Sequence, residues 1–284
     1  MEHTIATSAD GSNTLQLTQF NETYHSKNGA YTEATHIYIK CGLGYLFENG
    51  LGIDAAQVST GINIYDVGLG TALNCILAWC WQQQLIRAGK PYPKIAYYGI
   101  EKYPIPPQEA IQMNYPQVIA EHMEILPDKK FISSLHKPGS TPKIWHPLNT
   151  KEITYAFEEI HNCEWGKNVE ITPGFILHKS RADIKELSPE YFKGCEYEGM
   201  PSAIFYDTFS PATQPELWDE KIFRSIAEGC ASGSVLTTYC SKGTVKQALR
   251  NAGFTLERLS GPPGKRHILR GVVRDMTLEC EIGM

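Results

Sequence analysis

What this 284-residue chain lacks narrows its chemistry first. Its amino terminus, MEHTIATSADGSNTLQ, has no basic stretch followed by an apolar core, so it does not read as a secretory leader. Its most apolar window, IYDVGLGTALNCILAWCW, is broken by Asp66, Asn74 and loop glycines and does not read as a membrane span. The expectation is a cytoplasmic protein without a membrane partner. The eight cysteines include no CxxC pair and the nine histidines show no ligand spacing. Free buried thiols are therefore expected, and no metal site. P-loop, GxSxG and HExxH motifs are all missing, which removes the chemistries they carry. No internal repeat or low-complexity segment is present.

What remains is an ordinary globular composition, 42% hydrophobic and 20% charged. The length suits one large domain, or a domain with an appendage. Net charge is −5, but it is unevenly spread. From Lys242 to Arg274, eight Lys or Arg stand against the single acid Glu257, a local +7 that leaves −12 for the rest. Solvated helix and strand faces account for such a segment, and so does a phosphate-binding surface on an otherwise acidic protein.

Residues 1–50 hold short alternating stretches such as NTLQLTQF, then the turn-rich NETYHSKNGAY. The next stretch, TEATHIYIKCGLGYLFENG, reads as a helix interrupted by glycine. From Ile62 onward, apolar strands alternate with helical patterns, the signature of parallel α/β architecture. INIYDVG, KIAYYGIE, ITPGFILHKSRADIKEL, AIFYD and SVLTTYC read as strands. GLGTALNCILAWCWQQQLIRAG, PPQEAIQMNY, PELWDEKIFRSIAEGCASG and GTVKQALRNAGF read as helices, with Trp79 and Trp81 in the core. FTLERLSG and RHILRGVV form a closing strand pair around GPPGK. The expected fold is α/β and Rossmann-like over 51–284, with the antiparallel closing pair that marks the class I methyltransferase layout. Residues 1–50 form an extension packed on it, and a stretch near 122–170 reads as an insertion.

Candidate site residues fall at strand ends, where ligands bind in open α/β sheets. Gly68 and Gly70 of DVGLGTALN permit a tight turn and close backbone approach, with a helix N-terminus behind them. A purely structural glycine turn is the other reading. Glu101 ends the next strand, where an acid can accept ribose hydroxyls; a solvated loop acid fits the position too. Asp183 is either an adenine-amino acceptor or a surface acid. Asp207 ends AIFYD, and the helix after it starts too late for convenient capping, so a working carboxylate is the favoured reading. Pro211 makes DTFSP a preset loop.

The segments TSADGSNTL, YHSKNGAYTEATHIYI, DVGLGTALN, YYGIEKYP, ITPGFILHKSRADI, FYDTFSPATQPELW, TTYCSKGTVKQALRNAGF and GPPGKRHILRG together resemble one family in order and spacing. It is the tRNA 5-methylaminomethyl-2-thiouridine methyltransferases, comprising the MnmC methyltransferase domain and its stand-alone MnmD form. The D-x-F-[AS]-P-x-x-x-P-x-x-W element is its most specific part, and 122–160 its least family-like. The resemblance implies S-adenosyl-L-methionine as methyl donor and a wobble-uridine amine in the tRNA anticodon loop as acceptor, with no fused flavin oxidoreductase domain in this chain. It implies that Asp66, Gly68 and Gly70 contact the methionine part of the cofactor. Glu101 would stand at its ribose and Asp183 at its adenine, with Lys102 and Asp207 also among the cofactor-binding residues. Tyr24, Ser26 and Glu33 would line the substrate pocket, and Lys242, Lys265 and Arg266 would meet tRNA.

Asp207 and Phe209 are the expected catalytic residues. An unperturbed Asp, with a pKa near about 3.9, is a weak base, so Asp207 is expected to align the amine rather than take its proton outright. Phe209 would stack on the uracil ring or border the cofactor. Ala72, where the family usually has glycine, is expected to crowd the cofactor. Two other functions fit the residues: a small-amine methyltransferase, and a nucleotide- or RNA-binding protein without catalysis.

Overall fold

The computed structural model describes residues 3–17, 22–50, 61–122 and 147–274. The polar start of the chain pairs into a small antiparallel sheet of β1 (His3–Thr7), β2 (Asn13–Leu17) and β3 (Glu22–Thr23). Its register puts Leu15 and Leu17 inside. Asp10 ties this sheet to the first helix: it accepts from the hydroxyls of Ser8 and Ser12 and from the backbone N–H of Thr32. That N–H belongs to the first turn of α1 (Ala30–Ala34), which runs on in wide π-type turns through Gly50. The helix read from the sequence is therefore present, but its turns are wider than α-helical over most of its length.

The run GINIYDV becomes β4 (Gly61–Val67), every residue of it buried. A strand covered on both faces carries a continuous apolar run rather than alternation. Parallel to it lie β5 (Lys94–Ile100) on one side and, on the other, the strand carrying AIFY. Between β4 and β5 the chain forms α2 (Leu73–Arg87), buried from Leu73 through Gln82 because helices flank it as well as the sheet. Trp79 and Trp81 are core residues, as expected. PPQEAIQMNY gives only the short α3 (Pro107–Ala110), and α4 (Tyr115–His122) comes after it.

Of the stretch expected as an insertion, 123–146 lie outside the described residues. Residues Thr150–Asn162 form α5, opened by a capping box between Asn149 and Glu152 and packed on α2 and α4. ITPGFILHKS is not one strand but a hairpin. β6 (Asn168–Thr172) turns at Gly174 into β7 (Phe175–Ser180), and β6 runs antiparallel along the sheet edge. Pro173 and Gly174 are turn residues, which is why the reading as one strand fails.

After two 3-10 turns come β8 (Ser202–Tyr206), α6 (Glu220–Gly229), β9 (Val235–Thr238), α7 (Gly243–Asn251), β10 (Phe254–Ser260) and β11 (His267–Val273). The eight-stranded sheet is ordered β10-β11-β9-β8-β4-β5-β7-β6. β11 lies antiparallel between β9 and β10, as the closing pair predicts. This is the class I methyltransferase arrangement with one extra edge strand.

Strand alternation divides the core into two layers. Ile62, Ile64, Ala203 and Phe205 face α1, α2 and α5, while Tyr65, Val67, Ile204 and Tyr206 face α6 and α7. The seven cysteines among the described residues are free thiols.

Candidate active site

Strand order reverses between β4 and β8, so the crevice beyond their carboxyl ends is the place to look for a ligand. Gly68 follows β4 with φ +97°, and a Cβ there would meet the Asp207 carbonyl oxygen at 2.6 Å. Only glycine lets the two strand-end loops lie this close. Gly70, φ +49°, carries the Tyr24 ring against it, where a Cβ would stand 3.1 Å from Cδ1. The turn is fixed by the Gly68 and Leu69 N–H groups, which both donate to the Ile100 carbonyl.

A cleft of about 180 Å³ opens here, walled by Gly68, Gly70, Glu101, Asp183, Asp207 and Phe209. Glu101 is tied from both oxygens: Oε2 accepts from Gly70 N–H at 3.1 Å and Oε1 from Tyr103 N–H at 2.8 Å. Burial pushes its carboxyl up against those bonds. Each oxygen keeps a lone pair for a further donor. Asp183 caps the 3-10 turn Ile184–Glu186 and lies 2.9 Å from Lys102 Nζ. Partial burial raises its carboxyl, but Lys102 and the Lys185 N–H outweigh that and hold it below the usual range. Glu101, Lys102 and Asp183 thus share one wall.

Asp66 does not line the cleft. Strand alternation turns it toward α2, where it is fully buried, accepting from Tyr97 Oη at 2.6 Å and from Asn74 Nδ2 at 3.4 Å. Its expected contact with cofactor is replaced by an indirect role, because the same Asn74 amide donates to Asp207 Oδ2 at 3.0 Å. One amide therefore bridges two buried carboxylates.

Burial raises the Asp207 carboxyl, opposed by the bond from Asn74. The expectation of an unperturbed acid fails for this reason: burial outweighs the Asn74 amide, the Tyr38 hydroxyl and the Lys265 charge, and makes it a better proton acceptor than a solvated Asp. His25, which sequence reasoning passed over between Tyr24 and Ser26, places Nδ1 3.9 Å from Asp207 Oδ2. Its Nε2 lies 3.0 Å from Thr71 Oγ1, which in turn is 2.8 Å from Tyr115 Oη. Burial lowers His25 to about 4, so it is neutral at physiological pH.

Tyr24 and Phe209 meet edge to face at 5.2 Å and border the cleft. Glu22 of β3 clamps the DTFSP loop, accepting from Ser210 N–H and the Thr213 hydroxyl. Ser26 stays outside the cleft as a turn residue accepting from Asn28 N–H.

The basic segment does not act as one surface. Lys242 and Arg266 are exposed, but Arg270 is buried against the Tyr45 ring and paired with Glu257. Lys265 points inward, with Nζ 2.8 Å from Glu33 Oε2 and 4.7 Å from the centre of the Tyr239 ring. Its expected phosphate contact is thus not the one it makes here. Ala72 has φ 57°, the one positive value among the described non-glycine residues, and its methyl is buried in the core rather than facing the cleft.

Residues 181–274, which include Asp183, Asp207 and Lys265, match a family described as S-adenosyl-L-methionine-dependent methyltransferases. The match covers about a third of the chain, its C-terminal part. The chain is 26% identical over 255 residues to the tRNA 5-methylaminomethyl-2-thiouridine biosynthesis bifunctional protein MnmC of Pseudomonas fluorescens strain Pf0-1, covering 89% of this chain and 32% of that protein. It is 27% identical over 259 residues to the protein of the same name from Aromatoleum aromaticum, covering 90% and 33%. It spans about a third of the length of the curated relatives it matches. Its fold is shared with the crystal structure of MnmC2 from Aquifex aeolicus, with a TM-score of 0.62 and 22% identity over 99% of this chain and 74% of that one.

The cleft residues suit the cofactor. The cradle at Gly68 and Gly70 admits a close-lying ligand, and Glu101 keeps acceptor capacity for hydroxyls. Asp183 supplies a second acceptor on the same wall. Among the described residues no helix is long and apolar enough to cross a membrane.

Proposed function

We propose that this methyltransferase transfers a methyl group to the amine of a 5-aminomethyl-uridine, with or without 2-thiolation, at the wobble position of tRNA. The observation that carries the reading is the buried Asp207, held at the cleft wall by Asn74 and facing His25 and Glu33. Relatives named for 5-methylaminomethyl-2-thiouridine biosynthesis support the choice of acceptor.

Bound S-adenosyl-L-methionine supplies an electrophilic methyl group on a sulfonium. Gly68 and Gly70 would cradle it, with Glu101 and Asp183 taking its hydroxyl and amino donors. An alkylamine arrives protonated and has no lone pair to give. Asp207 accepts a hydrogen bond from that nitrogen and, being raised by burial, takes up its proton as the lone pair comes free. Neutral His25 adds no competing positive charge beside the carboxylate. Tyr24 and Phe209 exclude water and offer ring surface to a base drawn out of a single-stranded loop. Exposed Lys242 and Arg266 lie where an RNA backbone can reach them, with the salt dependence such contacts bring.

The test incubates the protein with labelled cofactor and tRNA bearing 5-aminomethyluridine, then digests the tRNA to nucleosides. Labelled 5-methylaminomethyluridine is expected. Asp207→Asn should bind cofactor and lose turnover. Cofactor binding with no methylated nucleoside from the unaltered protein would refute the acceptor, and full turnover in Asp207→Asn would refute the role given to that carboxylate.

A further inference from the structure

Beside Asp207, on the side facing the hairpin loop between β10 and β11, lies a group of side chains that the proposed methyl transfer does not use. Glu33, 12% exposed, comes from the first turn of α1, and Tyr239 from the end of β9. Lys265 reaches in from the GPPGK loop, which is seated on the N-terminal segment so tightly that a Cβ on Gly264 would strike the Asn28 amide at 2.2 Å. Electrostatically, Glu33 is coupled to Lys265, Asp207 and His25, and Tyr239 to Asp207, Glu22 and Glu33, so these groups share one basin. Tyr38, only 1% exposed, directs its hydroxyl at Asp207 and helps to hold that carboxyl down against the effect of burial.

The charges do not balance. Two buried carboxylates, Glu33 and Asp207, face one lysine, while the histidine beside them is neutral. What the lysine presents is a primary ammonium on a methylene, against a carboxylate and over an aromatic face. That is the same chemical group as the protonated aminomethyl substituent of the acceptor.

We propose that Glu33, Asp207 and the Tyr239 ring form the subsite for the acceptor's ammonium group, and that the Lys265 ammonium fills this subsite until the acceptor arrives. The inference rests on the acceptor class proposed for this methyltransferase. Lys265 is then an internal stand-in rather than a fixed structural cation. The acceptor displaces it, and Glu33 and Asp207 hold the incoming ammonium between them. The released lysine swings out beside exposed Arg266, on the side from which RNA would approach. A free amine would thereby meet an occupied subsite, whereas tRNA would both bring the amine and stabilise the displaced lysine.

The experiment measures binding of free 5-aminomethyluridine, with uridine as control, by calorimetry without cofactor. Lys265→Met should bind 5-aminomethyluridine about tenfold more tightly than the unaltered protein, the scale of one competing partly buried contact. Uridine affinity should not change, and Glu33→Gln should lose the preference for the amine. Equal or weaker binding of 5-aminomethyluridine in a folded Lys265→Met would overturn the proposal. A second readout needs no variant: Lys265 should be protected from acetic anhydride in the free protein and become reactive on saturation with 5-aminomethyluridine. Unchanged reactivity would overturn the proposal equally. Methylation of tRNA by the unaltered protein separates the two ideas. If it occurs while these results are negative, the subsite assignment falls alone. If it is absent while they are positive, the tRNA reading falls and the amine subsite stands.

Discussion

Replacing Asn74 with leucine keeps the branched outline of the side chain while removing the one amide that donates to both Asp66 and Asp207. A hydrogen bond to an ionised group contributes about 1.5–3 kcal/mol. Its loss disfavours ionised Asp207, so on the acid side of the rate profile the competent fraction should fall roughly ten- to hundredfold. At high pH, where Asp207 is ionised regardless, the plateau in kcat/KM should be largely kept. Stability should respond with the opposite pH trend. Removing the donor raises two folded-state carboxyl pKa values further, and a raised carboxyl loses its stabilising contribution as pH rises through the folded value. Denaturant unfolding should therefore show a cost of about 2 kcal/mol at pH 8 and a smaller one at pH 5. The assays are kcat/KM against pH with saturating cofactor, and urea melts at the two pH values. A plateau that drops while the acid limb stays in place would refute the reasoning, because Asn74 would then be acting on something other than Asp207 ionisation.

Two further variants probe the frame around the site. Asp10→Asn should destabilise the protein by about 1 kcal/mol at pH 7, a figure already reduced for its partial exposure. Burial alone would raise Asp10, but bonds from Ser12, Thr32 and Ser8 bring it down to about 2. Its contribution is thus present above the usual Asp value and lost as pH falls through about 2, so unfolding curves of the two proteins should converge there. A cost that persists undiminished at that pH would show the effect to be steric. Ala72→Gly relieves a left-handed alanine but also removes a buried methyl, terms of about 1–2 and 0.8 kcal/mol that nearly offset once glycine's chain entropy is counted. Cofactor affinity measured by calorimetry should stay within about twofold; a tenfold tightening would show that the methyl faces the ligand after all.

The sheet was legible because its central strands are buried on both faces and their apolar runs are bounded by glycine or proline. GINIYDV and SAIFY could be placed from those features, and the closing pair from its turn. Strand-end acids were legible for the same reason, since a charge after an apolar run marks where the sheet meets a ligand. What escaped was everything set by distant pairing. His25 sits in a turn with no periodicity to mark it, and only the fold brings it opposite Asp207. Lys265 and Arg270 read as surface cations because local charge cannot reveal Glu33 or Tyr45, their partners far away in the chain. Asp66 reads as a cleft residue from sequence because a strand-end acid and a supporting acid one layer behind it look alike until alternation along β4 is fixed in space.

The contact of the GPPGK loop with Asn28 and Glu33 has a consequence for how the protein comes into being. Synthesis delivers α1 early, and the loop that carries Lys265 emerges only after five parallel strands and their helices. β11 must then insert between β9 and β10 in the reverse direction before Lys265 can reach Glu33. Contacts of such long sequence separation form late, after their loop-closure entropy has been met by the rest of the sheet. The pocket is accordingly the last region to become native. Until then the nascent chain can hold a nearly complete Rossmann-like sheet in which the pair between Glu33 and Lys265 is still unmade.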